Sequence, residues 1–228
     1  MNSLSDKSIL VVSGPTTAPL DDVRFITNRS SGRLGSVIAY ALHQRGARVE
    51  QLAGQGSLTA QVMYPNQPLE RLSVTPFDSV DDLKQAMQSR LQTQTVDAVI
   101  MAAAVLDYVP QRTPGKRASI DDEWTVTFRR GEKLIEHIHL WAPDALIVGF
   151  KLESQISLDE LRARAENLMQ RSQAKIVVAN RLEEVSEDSH IAYMMVSSEQ
   201  GTEVSAALPS REAIAERLAI QLESIWRK

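Results

Sequence analysis

The sequence contains no cysteine and has no excess of positive charge. None of its 228 residues is a cysteine, which excludes disulfide bonds, thiolate catalysis and cysteine-ligated metals. The 25 Lys and Arg residues are outnumbered by 29 Asp and Glu residues, so the formal net charge is −4. Because nucleic-acid binding depends on clustered Lys and Arg, a nucleic-acid partner is disfavoured.

Long hydrophobic runs are also missing. No run approaches the ~18 apolar residues of a transmembrane helix, and the opening residues, MNSLSDKSILVVSG, lack the charged region and apolar core of a leader. We therefore expect a soluble, cytoplasmic protein with no membrane partner. The chain is 43% hydrophobic and has no internal repeat or linker-like segment, so we predict a single domain spanning residues 1–228.

What the sequence does contain is a regular alternation of apolar runs and helical periodicities. Helices are predicted over 34–42, 80–91, 132–141, 158–168 and 210–226, two of them opening with the capping-box patterns Ser79 to Asp82 and Ser157 to Glu160. Strands are predicted over 9–12, 48–52, 69–75, 96–104, 124–128, 146–152 and 175–180, with a hairpin from 191–196 and 203–207 and a mobile loop over 105–118. The pattern predicts an α/β, Rossmann-like fold: a mainly parallel twisted sheet flanked by helices, with a small β-hairpin or flap extension.

A long polar segment, GPTTAPLDDVRFITNRSSGRLG at 14–35, joins the first strand to the first helix. Open α/β sheets bind ligands outside the carboxyl ends of their strands, where this segment falls. Ser30, Ser31 and Gly32 stand at the helix start and Gly35 follows, so backbone N–H groups and hydroxyls can form an anion seat. Alternatively, the glycines only permit tight packing of the helix on the strand.

Other polar residues also follow predicted strands. The 14–35 segment, residues 101–108, Phe150 and Asn180 all lie at carboxyl ends, which converge on one crevice in a doubly wound sheet. Asp107 can bind a ribose hydroxyl or a metal-bridged phosphate, or simply cap its loop.

Two further residues carry candidate chemistry. Lys116 lies in a Pro-Gly segment and is either a cation that closes over phosphates or a solvated loop lysine. Asn28 is either a donor to a developing oxyanion or a plain turn residue. A histidine metal site is improbable, because His137 and His139 are two apart on a predicted helix and point to different faces.

Five motifs carry a resemblance to a known family. They are GPT at 14–16 with VRFITNRSSG at 23–32 and Gly35, AAAVLDY at 102–108, KRAS at 116–119, VGFKLE at 148–153 and VVAN at 177–180. Together they resemble phosphopantothenoylcysteine synthetase, also found as the carboxyl-terminal half of the bifunctional coenzyme A biosynthesis flavoprotein. The resemblance covers nearly the whole chain.

The resemblance implies a two-step ligation. The carboxylate of 4′-phosphopantothenate attacks the α-phosphate of CTP or ATP, releasing pyrophosphate and leaving an acyl-nucleotidylate. The amine of L-cysteine then attacks the acyl carbon and releases the nucleoside monophosphate. Mg²⁺ accompanies the phosphates, and the family is typically a homodimer.

The resemblance also assigns site residues. Asn28 holds the acyl-nucleotidylate carbonyl for the second step, and Lys116 binds the triphosphate for the first. The metal ligands are unknown. Residues expected to bind the nucleotide are Gly14, Ser30, Ser31, Gly32, Gly35, Met101, Ala102, Ala103, Asp107, Glu132, Lys133, Leu134, Ile135, Phe150 and Arg164.

The chain departs from the family pattern in places that leave questions open. The helix after Phe150 carries Arg162, Arg164 and Arg171 where the family has lysines, and which arginine corresponds is open. The FKLE form at 150–153 looks like the stand-alone synthetases, some of which use ATP, so CTP and ATP both remain.

Two other functions compete with ligation. One is an NAD(P)-dependent reductase with Glu50 on the ribose, although the chain has no Tyr-x-x-x-Lys pair and Gly32-x-x-Gly35 is half a fingerprint. The other is a nucleotide-sensing module without turnover.

Overall fold

A computed structural model describes residues 3–119, 122–186, 189–199 and 201–227. The strands are β1 (Ser8–Pro15), β2 (Thr17–Pro19), β3 (Phe25–Thr27), β4 (Arg48–Gly54), β5 (Leu72–Phe77), β6 (Ala98–Ala104), β7 (Tyr108–Pro110), β8 (Phe128–Arg130), β9 (Leu146–Glu153), β10 (Ile176–Arg181), β11 (Tyr193–Ser198) and β12 (Gly201–Val204). The α-helices are α1 (Arg33–Gln44), α2 (Ala60–Met63), α3 (Val80–Thr93), α4 (Ile138–Trp141), α5 (Leu158–Ser172) and α6 (Arg211–Trp226).

The centre of the fold is an eight-stranded sheet in the order β12-β11-β10-β9-β6-β1-β4-β5. Strands β5, β4, β1, β6, β9 and β10 run parallel, β11 pairs antiparallel with β10, and β12 pairs antiparallel with β11. The two remaining strand pairs, β2–β3 and β7–β8, form small antiparallel hairpins apart from this sheet. The predicted α/β class with a mainly parallel sheet and hairpin extensions is confirmed.

Both faces of the sheet are covered by helices, as the packing of the β1 side chains shows. Successive side chains of a strand point to opposite faces. Ile9 and Val11 therefore pack in one core cluster, which contains residues of α1 and α6, whereas Leu10 and Val12 pack in a second, which contains residues of α3 and α5. All four side chains are buried, which accounts for the uninterrupted apolar run at this strand.

The start sites of two helices follow the predicted capping boxes. At α3 the Ser79 hydroxyl accepts from the Asp82 N–H at 3.1 Å, and the Asp82 carboxylate accepts from the Ser79 N–H at 3.0 Å. Ser157 and Glu160 make the same reciprocal pair at α5. Each box satisfies backbone donors that a helix start otherwise leaves unpaired.

Two predictions made from the sequence, a strand over 124–128 and a helix over 132–141, are wrong. The predicted strand 124–128 contributes only Phe128, because β8 begins there and the ring of Trp124 instead lies 4.4 Å from the Arg24 guanidinium carbon. The predicted helix 132–141 is a 3₁₀ turn, Leu134–His137, followed by the single turn α4. Pro143 follows Ala142, the C-cap residue of α4, and proline disfavours a helical backbone in the residue before it, so α4 is not extended into a regular helix.

Smaller differences concern strand limits and segments interpreted as loops. The third strand is shifted to β5, and the hairpin predicted near the carboxyl end is β11–β12. The polar 14–35 segment contains the β2–β3 hairpin, and the 105–118 segment contains β7. Three-residue strands offer too few alternating positions for a period of two to be visible.

Candidate active site

The candidate site lies where the strand order reverses. From β1 the chain first adds β4 and β5 on one side. It then returns to add β6, β9 and β10 on the other side, so the strand order reverses between β1 and β6. Such a switch point opens a crevice outside the carboxyl ends of the strands. In register, Gly14 lies beside Ala103 and Met101 beside Val12. Met101 is buried, whereas Ala102 and Ala103 are partly accessible at this end of β6.

Gly14 in β1 and Gly32 at the start of α1 both bring the backbone close to Ser57. Gly14 has a φ of 81°, and a Cβ there would lie 2.1 Å from the Ser57 hydroxyl oxygen. Gly32 has a φ of 73° and precedes α1, and its Cβ would lie 2.9 Å from the Ser57 Cβ. Among the described residues the Ser57 hydroxyl has no hydrogen-bond partner. The N-cap residue Gly32 has no side chain to cap α1, and the Ser31 hydroxyl accepts from the Arg33 N–H at 3.4 Å.

Gly35 has a different role from Gly14 and Gly32. A Cβ at Gly35 would lie 2.4 Å from the Cβ of Ser13 on β1, so α1 and β1 approach to a distance that any side chain would prevent. For Gly35 the geometry favours the packing alternative over direct ligand binding.

A buried polar network that the sequence analysis missed supports this close approach. The Gln51 amide nitrogen donates to the hydroxyls of Ser13 at 2.9 Å and Ser36 at 2.7 Å. The Gln51 amide oxygen accepts from the Ala60 N–H at 3.0 Å. Gln51 is fully buried and fully paired, so it fixes α1 and α2 against β4. The sequence offered little signal, because Gln51 follows the charged Glu50 in a predicted strand, 48–52, that is not uniformly apolar.

Asn28 follows β3 and reaches across to β6. Its side-chain nitrogen donates to the carbonyl oxygen of Ala104 at 3.0 Å. Beside it, the Thr27 hydroxyl donates to the Thr16 carbonyl oxygen at 2.9 Å, and the Thr16 hydroxyl accepts from the Leu106 N–H at 3.0 Å. These bonds join the 14–35 segment to the 102–108 segment, two of the regions that the sequence places at one crevice. Ser30 is partly buried and Ser31 is exposed.

The 132–135 turn lies against the 102–108 segment. The Lys133 ammonium forms an ion pair with the Asp107 carboxylate, and the Gly131 N–H donates to the Asp107 carbonyl oxygen at 2.8 Å. Glu132 pairs with Lys84 at 2.6 Å, and this cation lowers the pKa of the Glu132 carboxyl. Leu134 is buried and Ile135 half-buried, so these two residues anchor the turn by packing.

The later strands bring Phe150 and Arg164 to the same edge of the sheet. Gly149 of β9 lies in register beside Met101 of β6, which places half-buried Phe150 one residue beyond. Arg164 on α5 contacts the Glu153 carboxylate at 3.3 Å. Arg162 instead pairs with Glu166 and Arg171 with Glu136. Asn180 is buried at the end of β10.

Lys116 lies on a flap, residues 111–118, that is attached to the tip of the β2–β3 hairpin. The Thr113 N–H donates to the Leu20 carbonyl at 2.9 Å, and the Asp22 N–H donates to the Gly115 carbonyl at 3.2 Å. The Lys116 side chain is exposed. The structure does not bring Lys116 into contact with Asn28, although both are attached to the same hairpin.

Glu50, the ribose acid of the competing reductase hypothesis, is placed elsewhere. It is the third residue of β4, away from the carboxyl end of that strand, and it pairs with Arg90 at 2.6 Å. This position does not suit a ribose ligand.

Within the described ranges, no group of three His, Asp or Glu side chains is arranged to hold a metal ion. No helix in those ranges is both long and apolar enough to cross a bilayer.

Comparison with known proteins extends these observations over the whole chain. A family model described as the DNA/pantothenate metabolism flavoprotein C-terminal domain matches residues 4–225. The coenzyme A biosynthesis bifunctional protein CoaBC of Thermococcus kodakarensis is 28% identical over 225 residues, which are 98% of this chain and 52% of that protein. The chain thus spans about half the length of the curated relatives it matches.

Solved structures share the fold. A crystal structure of the C-terminal domain of the bifunctional protein CoaBC superposes with a TM-score of 0.77 at 27% identity, covering 100% of this chain and 99% of that one. A Cab2 mutant in complex with phosphopantothenate-cysteine superposes with a TM-score of 0.76 at 21% identity, covering 97% of this chain and 88% of that one. With a family model matched over nearly its whole length, the chain belongs to the DNA/pantothenate metabolism flavoprotein C-terminal domain family.

Proposed function

We propose that the chain is a nucleotide-dependent phosphopantothenate–cysteine ligase of coenzyme A biosynthesis. The observation that carries the proposal is the hydrogen bond between Asn28 and Ala104, because it brings the two most specific motifs together at the switch point of the sheet. The relatives' names and the phosphopantothenate-cysteine bound by the Cab2 mutant support the same chemistry.

In the first step, a carboxylate oxygen of 4′-phosphopantothenate bonds to the α-phosphorus of the nucleoside triphosphate. The bond to the bridging oxygen breaks, and pyrophosphate leaves with its electron pair. Both substrates are anions, so the step requires positive charge and N–H groups. The start of α1, whose N-cap residue Gly32 has no side chain, provides backbone donors and the positive end of a helix dipole, and Lys116 provides an ammonium group.

In the second step, the amine of L-cysteine attacks the acyl carbon, loses a proton and expels the nucleoside monophosphate. The developing oxyanion needs a fixed donor. A primary amide carries two N–H donors, and Asn28 uses one on Ala104. That bond orients the amide while the second N–H remains for the acyl carbonyl.

The nucleotide and its cation complete the proposed site. We propose CTP or ATP as the co-substrate, entering with Mg²⁺ bound to its phosphates. Mg²⁺ prefers oxygen ligands and keeps several from phosphate and water, so the exposed Asp107 carboxylate, which follows β6 and now pairs with Lys133, suits it as one protein ligand if that ion pair opens. Bound Mg²⁺ would neutralise charge on the departing pyrophosphate.

We also propose that the protein acts as a homodimer through the two small hairpins. Val23 at the tip of the first hairpin, Phe25 of β3, Tyr108 of β7 and Phe128 of β8 have exposed fractions of 62%, 60%, 59% and 43%. The hairpins contact each other through β2 and β7. Four large apolar side chains on one adjoining pair of hairpins suit burial against a second copy. Light scattering after size-exclusion chromatography measures the resulting mass.

Pyrophosphate release from purified protein tests the ligase proposal. The reaction contains 4′-phosphopantothenate, L-cysteine and Mg²⁺, run in parallel with CTP and with ATP, and matched reactions omit one substrate at a time. We expect release that depends on every substrate, with the faster reaction identifying the nucleotide. Folded protein that releases no pyrophosphate with either nucleotide contradicts the proposal. Nucleotide binding without release, measured by calorimetry, would instead indicate a sensing module.

A further inference from the structure

A buried carboxylate that the proposed chemistry does not use lies at the tip of the β2–β3 hairpin. The Asp21 side chain has an exposed fraction of 0%. Its Oδ1 accepts from the backbone N–H groups of Val23 at 2.9 Å and Arg24 at 2.7 Å. Its Oδ2 accepts from the Arg24 guanidinium at 3.0 Å and from the Arg117 N–H at 3.2 Å. One carboxylate therefore ties the hairpin tip to the flap.

Arg24 strengthens the same connection from the other side. Its guanidinium donates to the Arg117 carbonyl oxygen at 3.0 Å, so Asp21 and Arg24 together hold both backbone polar groups of Arg117. The Arg24 guanidinium carbon also lies 4.4 Å from the ring centroid of Trp124, a cation–π contact that restricts its orientation.

The bonds to the Arg117 backbone also affect Lys116, the residue before it. Its N–H belongs to the peptide unit that joins it to Lys116. Fixing that peptide plane restricts where the Lys116 side chain starts and which way it points. At the other end of the hairpin, Asn28 follows β3 directly. The hairpin thus connects the flap that carries Lys116 with Asn28 at the crevice.

The ionisation of Asp21 agrees with this arrangement. The Arg24 side chain, together with the N–H groups of Val23, Arg24 and Arg117, holds the pKa of the Asp21 carboxyl well below its usual range against the opposing effect of burial. Charge-assisted bonds of this kind are about twice as strong as neutral ones.

We propose that Asp21 is a positioning residue that, through Arg24 and the Arg117 backbone, fixes the flap so that Lys116 is presented to the triphosphate. The kinetic part of this proposal rests on the proposed ligase function. The structural part, that Asp21 holds the flap, is independent of it.

Proteolysis without substrates tests the structural part. Trypsin cleaves after Lys116 and Arg117, and mass spectrometry measures the rate of each cut in wild type and in Asp21→Asn. The asparagine keeps the size of the side chain but removes the charge and one acceptor, so we expect these cuts to be roughly tenfold faster. Asp22→Asn is the matched control: Asp22 also pairs with the flap, through Arg112, but both side chains are exposed, so we expect less than about a twofold change.

Kinetics tests whether the flap acts on the first step. In Asp21→Asn we expect kcat/KM for the nucleotide to fall roughly tenfold, while cysteine capture of a supplied acyl-nucleotidylate changes less than about twofold. A general loss of folded protein would lower both half-reactions equally. If wild type releases no pyrophosphate, the ligase proposal fails, and the proteolysis result still decides whether Asp21 holds the flap.

A second variant covers the outcome in which Asp21→Asn does not fold. Arg24→Lys keeps a cation beside Asp21 but loses the planar fork that reaches both Asp21 and the Arg117 carbonyl, so the cuts after Lys116 and Arg117 should again accelerate. Wild-type cleavage rates in the folded variants overturn the structural part, and equal losses in both half-reactions overturn the assignment to the first step.

Discussion

The side-chain amide of Asn28 donates to the carbonyl oxygen of Ala104 at 3.0 Å, across 76 positions of sequence. The bond joins the end of the β2–β3 hairpin to the end of β6, which are two walls of the same crevice. It also fixes the plane of the amide, so the remaining N–H has one direction in which to donate.

Replacing Asn28 by Asp should impair the second half of the proposed reaction. A carboxylate offers no donor to the acyl carbonyl, and it would repel the Ala104 carbonyl oxygen that the amide now contacts. Loss of one oxyanion donor typically costs about 10²-fold in rate. Single-turnover capture of acyl-nucleotidylate by L-cysteine measures the step, and a wild-type rate contradicts the role given to Asn28.

Replacing Lys116 by Gln should impair the first half instead. The variant removes a positive charge from the flap, and we expect pyrophosphate release in a single turnover to slow by about 10²-fold. Lys175→Gln makes the same change on an exposed lysine that precedes β10, at the opposite end of the strands. Equal rates for the two variants would show that Lys116 has no special function.

Replacing Gly35 by Ala should destabilise the protein although alanine is the better helix former. The new Cβ would lie 2.4 Å from the Ser13 Cβ, and relieving such a clash in a packed core costs about 1–3 kcal/mol. Ala163→Gly in α5 is the control, because Ala163 is exposed and reports helix propensity alone, about 1 kcal/mol in favour of alanine. Urea denaturation measures both, and a Gly35→Ala variant more stable than wild type contradicts the packing role.

Stability should fall with acidification through His190. Burial and the nearby Arg211 cation lower the pKa of His190 to about 4, and neither ring nitrogen has a hydrogen-bond partner among the described residues. The unfolded chain binds a proton near pH 6.5 and the folded protein only near 4. The contribution to stability is therefore complete above about pH 6.5 and is lost as the pH falls towards 4.

The comparison of wild type with His190→Leu isolates this effect. After allowing for partial exposure of the ring, we expect wild type to lose about 1–2 kcal/mol more of its free energy of unfolding between pH 7 and pH 4.5 than the variant does. Urea denaturation at several pH values provides the slopes. Parallel slopes would mean that His190 is protonated equally in both states.

Local pattern was sufficient to predict most of the central sheet. Spacing alone predicted the apolar runs at β1, β6 and β10 and the capping boxes at Ser79 and Ser157. It also placed Asn28 and Asp107 in segments that follow strands. Such features are predictable because burial and capping depend on neighbours within a few residues.

The remaining features depend on contacts between residues far apart in the chain. Nothing local to Asp21 reveals that it accepts from Arg117, and nothing local to Gln51 reveals that Ser13 and Ser36 complete its pairing. The roles of the site residues in binding and catalysis stay predictions until the variants are measured.

The strand order has a consequence for how the chain is made. β6 is paired on one side by β1, but its other neighbour, β9, begins 42 residues after β6 ends, at Leu146. A ribosome adds about 5–20 residues per second, so a nascent sheet of β5, β4, β1 and β6 leaves the backbone groups along one edge of β6 unpaired for several seconds. Parallel pairings close long loops and form slowly. Until β9 is made, the open edge of β6 presents unpaired backbone groups to which a strand of another chain can pair.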